Sequence, residues 1–226
     1  MQSTPYEYFG AMVAEYDSLI DRAVPVYAEL LDHLAAYLPE RATRVLELGC
    51  GTGNYTSVLA QRYPDAHICI ADGSREMLDA TSFRLNIGDR LETRHTRFED
   101  LEPDGSFDVV TSCIALHHVE HKEPLFARLK SLVAPGGMLI FGDQMAGANE
   151  RHSAINWGAM ATFWEQPGNL SPDERQSLTD HARDHDFYES IATHLRLVEE
   201  AGFLDVDCVW RKWMWGIVTG RIGDHP

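Results

Sequence analysis

Leu19, Ile20, Val26, Tyr27, Leu30, Leu31, Leu34 and Leu38 recur at three- and four-residue intervals. That spacing predicts amphipathic helix over residues 15–38, with Pro25 near a helix start and Pro39 closing it. The pattern then changes to short apolar runs that end in glycine, RVLELG (44–49) and HICIADG (67–73), with a helical stretch over 54–62 between them. Strand, helix and strand in this order predict a βαβ unit. The alternation continues with a helix over 74–85, a strand near 91–95, a strand over 107–114, a helix over 123–132 and a strand over 138–143. Pro135-Gly136-Gly137 marks the turn before that fifth strand. Strands alternating with helices predict a parallel sheet covered on both faces. From 144 to 188 there is no strand signal, only helical stretches near 150–165 and 172–185. The second opens on Ser171-Pro172-Asp173-Glu174, a capping box with proline at the first helical position. A last helix (189–201) stops at Gly202. The β-rich runs 205–210 and 213–220 follow, separated only by Arg211-Lys212, and a gap that short predicts an antiparallel pair.

The 226 residues, 44% hydrophobic and 24% charged, predict a single domain over 1–226, with residues 1–42 as a helical cover and 144–188 as a helical lid. Nineteen Lys and Arg oppose 35 Asp and Glu, a formal net charge of -16 that makes nucleic acid an unfavourable partner. Cys50, Cys69, Cys113 and Cys208 show no CxxC spacing and are expected to be free thiols. No apolar run approaches the ~18 residues of a membrane span, and the first ten residues lack a basic stretch followed by an apolar one. A cytoplasmic protein is expected.

The strongest local signal is Glu47-Leu48-Gly49-Cys50-Gly51-Thr52-Gly53-Asn54, where a strand passes through three glycines into a helix. Such a loop brings backbone N–H groups close to a ligand. Its GxGxG spacing differs from the GxGxxG dinucleotide fingerprint. A carboxylate at position 47 is unfavourable beside a pyrophosphate and favourable beside ammonium and sulfonium charges. Asp72, ending the second strand, is placed to accept both hydrogens of a ribose diol.

ELGCGTG (47–53), CIADGSREML (69–78), FDVVTSCIALHHV (107–119) and LVAPGGMLIFGD (132–143) together resemble the successive motifs of class I S-adenosylmethionine-dependent methyltransferases. The resemblance implies a doubly wound α/β fold: a mostly parallel seven-stranded sheet with an antiparallel last strand, plus N-terminal helices and a helical insert after strand five. It also implies S-adenosyl-L-methionine as cofactor. On that likeness Glu47, Gly49, Cys50, Gly51 and Gly53 would line the methionyl part, and Asp72, with Gly73 and Met77 of the same motif, the ribose side. Cys113 and Ile114 would border the sulfonium, and Tyr16 would fold over the cofactor. Phe98 would face adenine, where Arg97 stands in the place of a common aspartate and Glu99 is its substitute. The layout of the C-terminal half is also similar to carboxy-S-adenosylmethionine synthases, whose carboxylate-binding arginine would fall at Leu197 or Arg196.

Methyl transfer to a hydroxyl or amine calls for a positioned base. His118 and Asp143 are the residues expected in that role, with His117, Gln144, His152, Trp157 and Trp164 near the acceptor. His181 and His185 stand at i and i+4, but a metal site would need a third ligand, so a solvated polar face is expected there and no metal. The expected activity is N- or O-methylation of a small molecule. Alternatives are a synthase-like or tRNA-linked modification enzyme and a non-catalytic cofactor-binding protein. A homodimer is plausible on family habit. Residues 1–42 hold seven acids against two bases and residues 143–190 nine against three, so the expected entrance is acidic and favours neutral or cationic acceptors.

Overall fold

The computed structural model describes residues 4–103 and 105–224; the outermost residues of the expected domain, 1–3 and 225–226, lie outside that set. The cover consists of α1 (Pro5–Gly10), α2 (Val13–Ala23) and α3 (Tyr27–Tyr37). The helical stretch expected over 15–38 is two helices, the second beginning two residues after Pro25. Proline disfavours helical backbone in the residue before it, and Val24, ahead of Pro25, is extended (φ -111°, ψ 101°). The short α1 carries a Thr4–Glu7 capping box that the periodicity reading passes over.

The sheet is built from β1 (Arg44–Leu48), β2 (His67–Asp72), β3 (Leu91–His95), β4 (Phe107–Cys113), β5 (Val133–Gln144), β6 (Leu204–Lys212) and β7 (Trp215–Arg221), in the order β3-β2-β1-β4-β5-β7-β6. The first five strands are parallel, and β7 runs antiparallel to both β5 and β6. Helices α4 (Asn54–Arg62), α5 (Arg75–Leu85), α6 (Lys122–Leu132), α7 (Glu150–Trp164), α8 (Pro172–His185) and α9 (Ile191–Glu200) complete the chain. Two apolar clusters form the core: one joins α2, α3 and α4 to the sheet, the other α6 and α9. The strand order reverses between β1 and β4, and in doubly wound sheets such a switch point opens a crevice at the carboxyl ends of the strands.

Two boundaries differ from expectation. Strand β5 begins at Val133, so Pro135-Gly136-Gly137 is an irregularity inside it, where the pairing with β4 shifts register after Phe107. The link between β6 and β7 is Trp213-Met214, because Arg211 and Lys212 extend the ladder opposite Gly216 and Trp215. An edge strand leaves such charged side chains in water and tolerates them. Among the described residues no helix is long and apolar enough to cross a membrane.

Candidate active site

The loop after β1 turns through Gly49, Gly51 and Gly53, all at positive φ. Gly49 also packs so closely on Ala115 that a Cβ there would collide with that residue's own Cβ. This approach lets the loops after β1 and β4 form one wall of a deep cavity. Gly49, Gly51, Asp72, Met77, Phe98 and Ile114 line it from the sheet side, and Tyr16 closes over the glycine loop. Tyr16, Glu47, Cys50 and Cys113 surround an adjoining recess. Gly73 is covered by the ring of Tyr6 in α1. Arg97 and Glu99 pair with each other (2.9 Å) and border a neighbouring groove with His185, outside the lining of the main cavity. Phe98 between them is buried in the cavity wall.

Asp72 is held by donors: the Ser74 N–H gives a 2.8 Å bond to Oδ1 and the Gly51 N–H a 3.3 Å bond to Oδ2. Burial nevertheless raises its pKa. Glu47 is more extreme. It is 1% exposed, neither carboxylate oxygen has a hydrogen-bond partner, and burial pushes its pKa up to about 8. An uncompensated buried carboxyl is costly, and a cation seated beside it would relieve that cost. The amino group of S-adenosylmethionine has the required charge, and the glycine backbone and Asp72 offer the accompanying donors and acceptors. The residues present fit that ligand.

The far side of the cavity holds a histidine cluster. His117 and His118 lie in a short 3-10 turn, Leu116–His118, after β4. Asp143, at the end of β5, partners His117, not His118: its Oδ1 is 2.5 Å from His117 Nδ1 and its Oδ2 accepts the His117 N–H at 2.9 Å. His118 instead meets Asp186, with Nδ1 2.9 Å from Oδ1. His181 is buried, its Nε2 3.7 Å from the same oxygen, which overturns its expected place on a solvated face. Tyr8 stacks on its ring, and α8 turns that side of the helix inward. The Tyr188 hydroxyl donates to the other Asp186 oxygen.

These charges sort the imidazoles. Burial lowers the pKa of His117, but the Asp143 and Asp186 carboxylates outweigh it and the net shift is upward. Burial and His117 drive His118 down, and burial takes His181 to about 4. Both Asp143 and Asp186 are lowered: burial opposes ionisation, and His117 overrides it.

Gln144, Trp157 and Trp164 line the same cavity, whereas His152 is exposed on α7. Asp186 and Tyr188 are the residues the sequence reading did not select. They lie in the irregular stretch between α8 and α9, which the sequence reading left without an element. Arg196 lies on α9, half-exposed and paired with Glu200 at 2.6 Å, and Leu197 is packed in the core. Neither position of the synthase likeness lines the cavity.

Residues 45–137 match a family model described as a methyltransferase domain. The sheet order and flanking helices agree with the fold that the likeness to class I S-adenosylmethionine-dependent methyltransferases implies, and the matched span holds the glycine loop, Asp72 and the turn after β4. Among curated relatives it is 38% identical over 111 residues to a trans-aconitate 2-methyltransferase of Pseudomonas paraeruginosa, covering 49% of this chain and 38% of that protein. It is 25% identical over 134 residues to a malonyl-[acyl-carrier protein] O-methyltransferase 2 of Ilyobacter polytropus, covering 58% of this chain and 49% of that one. The chain thus spans less than half the length of these relatives. Among solved structures, an O-methyltransferase family protein from Burkholderia thailandensis superposes with a TM-score of 0.71 at 19% identity, over 99% of this chain and 64% of that one. Phosphoethanolamine N-methyltransferase 2 of Haemonchus contortus, in complex with S-adenosyl-L-methionine, gives 0.68 at 13% identity, over 97% and 58%.

Proposed function

We propose that this protein is an S-adenosylmethionine-dependent methyltransferase that acts on a small molecule at nitrogen or oxygen. The unpartnered, buried carboxyl of Glu47 beside the glycine loop carries the reading, because it creates a place for a cationic ligand and is unsuited to a pyrophosphate. When bound, S-adenosylmethionine supplies a sulfonium methyl group, which passes to the acceptor as the sulfur becomes a neutral thioether. Glu47 would hold the amino group and Asp72 the ribose hydroxyls. Tyr16 excludes water above the loop. The acceptor would occupy the side of the cavity lined by Trp157, Trp164 and the histidines, whose aromatic surfaces bury a small molecule while a few polar groups orient it. His118, whose lowered pKa keeps the ring neutral near pH 7, is the group placed to take a proton from an acceptor hydroxyl or ammonium. Asp143 fixes His117, and the Asp186 carboxylate lies 2.9 Å from His118 Nδ1.

Isothermal titration with S-adenosylmethionine and S-adenosylhomocysteine tests the reading. Binding of both is expected, with loss of at least roughly tenfold in affinity for Asp72→Ala, equivalent to one charged hydrogen bond. Failure of the wild-type protein to bind either would sink it.

A further inference from the structure

The histidine cluster has more donor atoms than hydrogen bonds. Asp186 Oδ1 lies 2.9 Å from His118 Nδ1, 3.7 Å from His181 Nε2 and 3.8 Å from His117 Nε2. None of Asp186 Oδ1, His118 Nδ1 and His181 Nε2 has a hydrogen-bond partner, although all three are buried. The 2.9 Å approach of His118 Nδ1 to Asp186 Oδ1 is thus not aligned as a hydrogen bond that would satisfy either atom. Unsatisfied buried polar atoms are few in folded proteins and call for an explanation. A single cation between Asp186 Oδ1 and His118 Nδ1 would satisfy both.

The spacing agrees with that solution. A tetrahedral ion with metal–ligand bonds of about 2.0–2.1 Å sets its ligand atoms about 3.3 Å apart. The donor atoms of His117, His118 and Asp186 lie within 4.8 Å of one another, and His181 faces the same carboxylate oxygen from α8. The supporting groups also fit. Asp143 accepts from His117 Nδ1, which leaves Nε2 turned towards Asp186, the carboxylate–histidine–metal relay that fixes a ligand's tautomer. Tyr188 engages the second Asp186 oxygen and leaves the first one facing the histidines. Two imidazoles and one carboxylate select a borderline first-row divalent ion over magnesium or calcium, which favour all-oxygen sites.

We propose that His117, His118 and Asp186 form a binding site for a divalent transition-metal ion of the zinc, cobalt or iron(II) type, with His181 beside its open coordination position. All four residues line the main cavity. The open position therefore faces the space for the acceptor, and the ligand class is a small molecule presenting an oxygen or nitrogen donor. The ion would hold that donor and acidify a hydroxyl as a Lewis acid, with His118 then a ligand instead of the base and the proton released to solvent. Only this last consequence rests on the methyltransferase reading; the metal site itself does not.

The test uses the full chain, stripped with chelator and titrated with Co²⁺ without S-adenosylmethionine. We expect visible d–d absorption saturating at one ion per chain, displaced by Zn²⁺. His118→Ala and Asp186→Asn should each weaken binding by more than the roughly 10–100-fold that loss of an outer partner costs, and Asp143→Asn by about that amount. His67→Ala, at the opposite end of the sheet, should bind as the wild type does. Far-UV circular dichroism reports whether each variant folds. Independently of any variant, Zn²⁺ should shift the imidazole ¹⁵N resonances of His117 and His118 in the wild-type protein. Absence of stoichiometric Co²⁺ and Zn²⁺ binding, binding retained in folded His118→Ala and Asp186→Asn, or shifts confined to other histidines would each overturn the proposal. Cofactor titration is read separately, so failure of the metal site and failure of the methyltransferase reading are distinguishable.

Discussion

Glu47 shows how one side chain can link stability, pH and ligand binding. Its carboxyl has a folded-state pKa of about 8 against an ordinary value of 4.5 because burial disfavours the charged form. The folded state therefore holds a proton that the unfolded chain has lost between those values, so this residue's contribution is most favourable below pH 4.5 and declines as pH rises towards 8. Denaturant melts of wild type and Glu47→Gln from pH 5 to 9 should show the wild type losing up to a few kcal/mol relative to the variant; a constant difference would refute the shift. Affinity for S-adenosylmethionine should rise over the same range in the wild type, with one proton released per ligand bound below pH 8, and calorimetry in buffers of different ionisation enthalpy measures that proton. The wall of the candidate site formed by Gly49, Gly51 and Asp72 was legible in the sequence because those residues sit in one strand–loop–helix segment and one strand end. The acceptor side was legible only in part. His118 and Asp143 were selected together, yet each pairs with a different residue, since spatial partners from β5 and the stretch after α8 leave no periodic trace.

At the scale of elements, the cover and the insert clasp each other over the cavity. Trp164 of α7 donates from Nε1 to the Ala23 carbonyl at the end of α2 (2.8 Å), and Arg22 reaches Glu174 of α8 at 2.8 Å. The first bond is buried, and Trp164→Phe would strand the carbonyl, costing about 1–3 kcal/mol; thermal unfolding at constant pH gives the check. The Arg22 pair is partly solvated and is worth less. Helix α1 is held differently, by Tyr6 resting on Gly73, where an added Cβ would collide with the ring. Gly73→Ala should therefore release α1 while leaving the sheet intact. Hydrogen exchange across residues 5–10 would quicken with little change in the melting of the core, and unchanged protection there would contradict this packing. The alternation of strands and helices through β5 was readable from hydrophobic period together with glycine and proline turn signals. Where the reading failed, backbone pairing outweighed it: the register shift beside Phe107 absorbs Pro135-Gly136-Gly137 into β5.

Over the whole molecule, the net charge of -16 is concentrated in the segments that cover the cavity, with seven acids against two bases in residues 1–42 and nine against three in 143–190. The family match ends at residue 137, before the insert begins, so Trp157, Trp164, His181 and Asp186 lie outside the matched span while His117 and His118 lie within it. A field of one sign around a cleft attracts ligands of the opposite sign and is screened beyond about 10 Å at 0.1 M salt. Two acceptors of similar size and opposite charge should accordingly respond to salt in opposite directions. For a cationic amine, kcat/KM should fall severalfold as ionic strength rises from about 0.02 to 0.5 M, whereas for a carboxylate it should rise. Measuring both under identical cofactor saturation separates steering from any effect on S-adenosylmethionine itself. A cationic acceptor whose kcat/KM is flat or increases with salt would show that the acidic cover lies too far from the entry path to act on what enters.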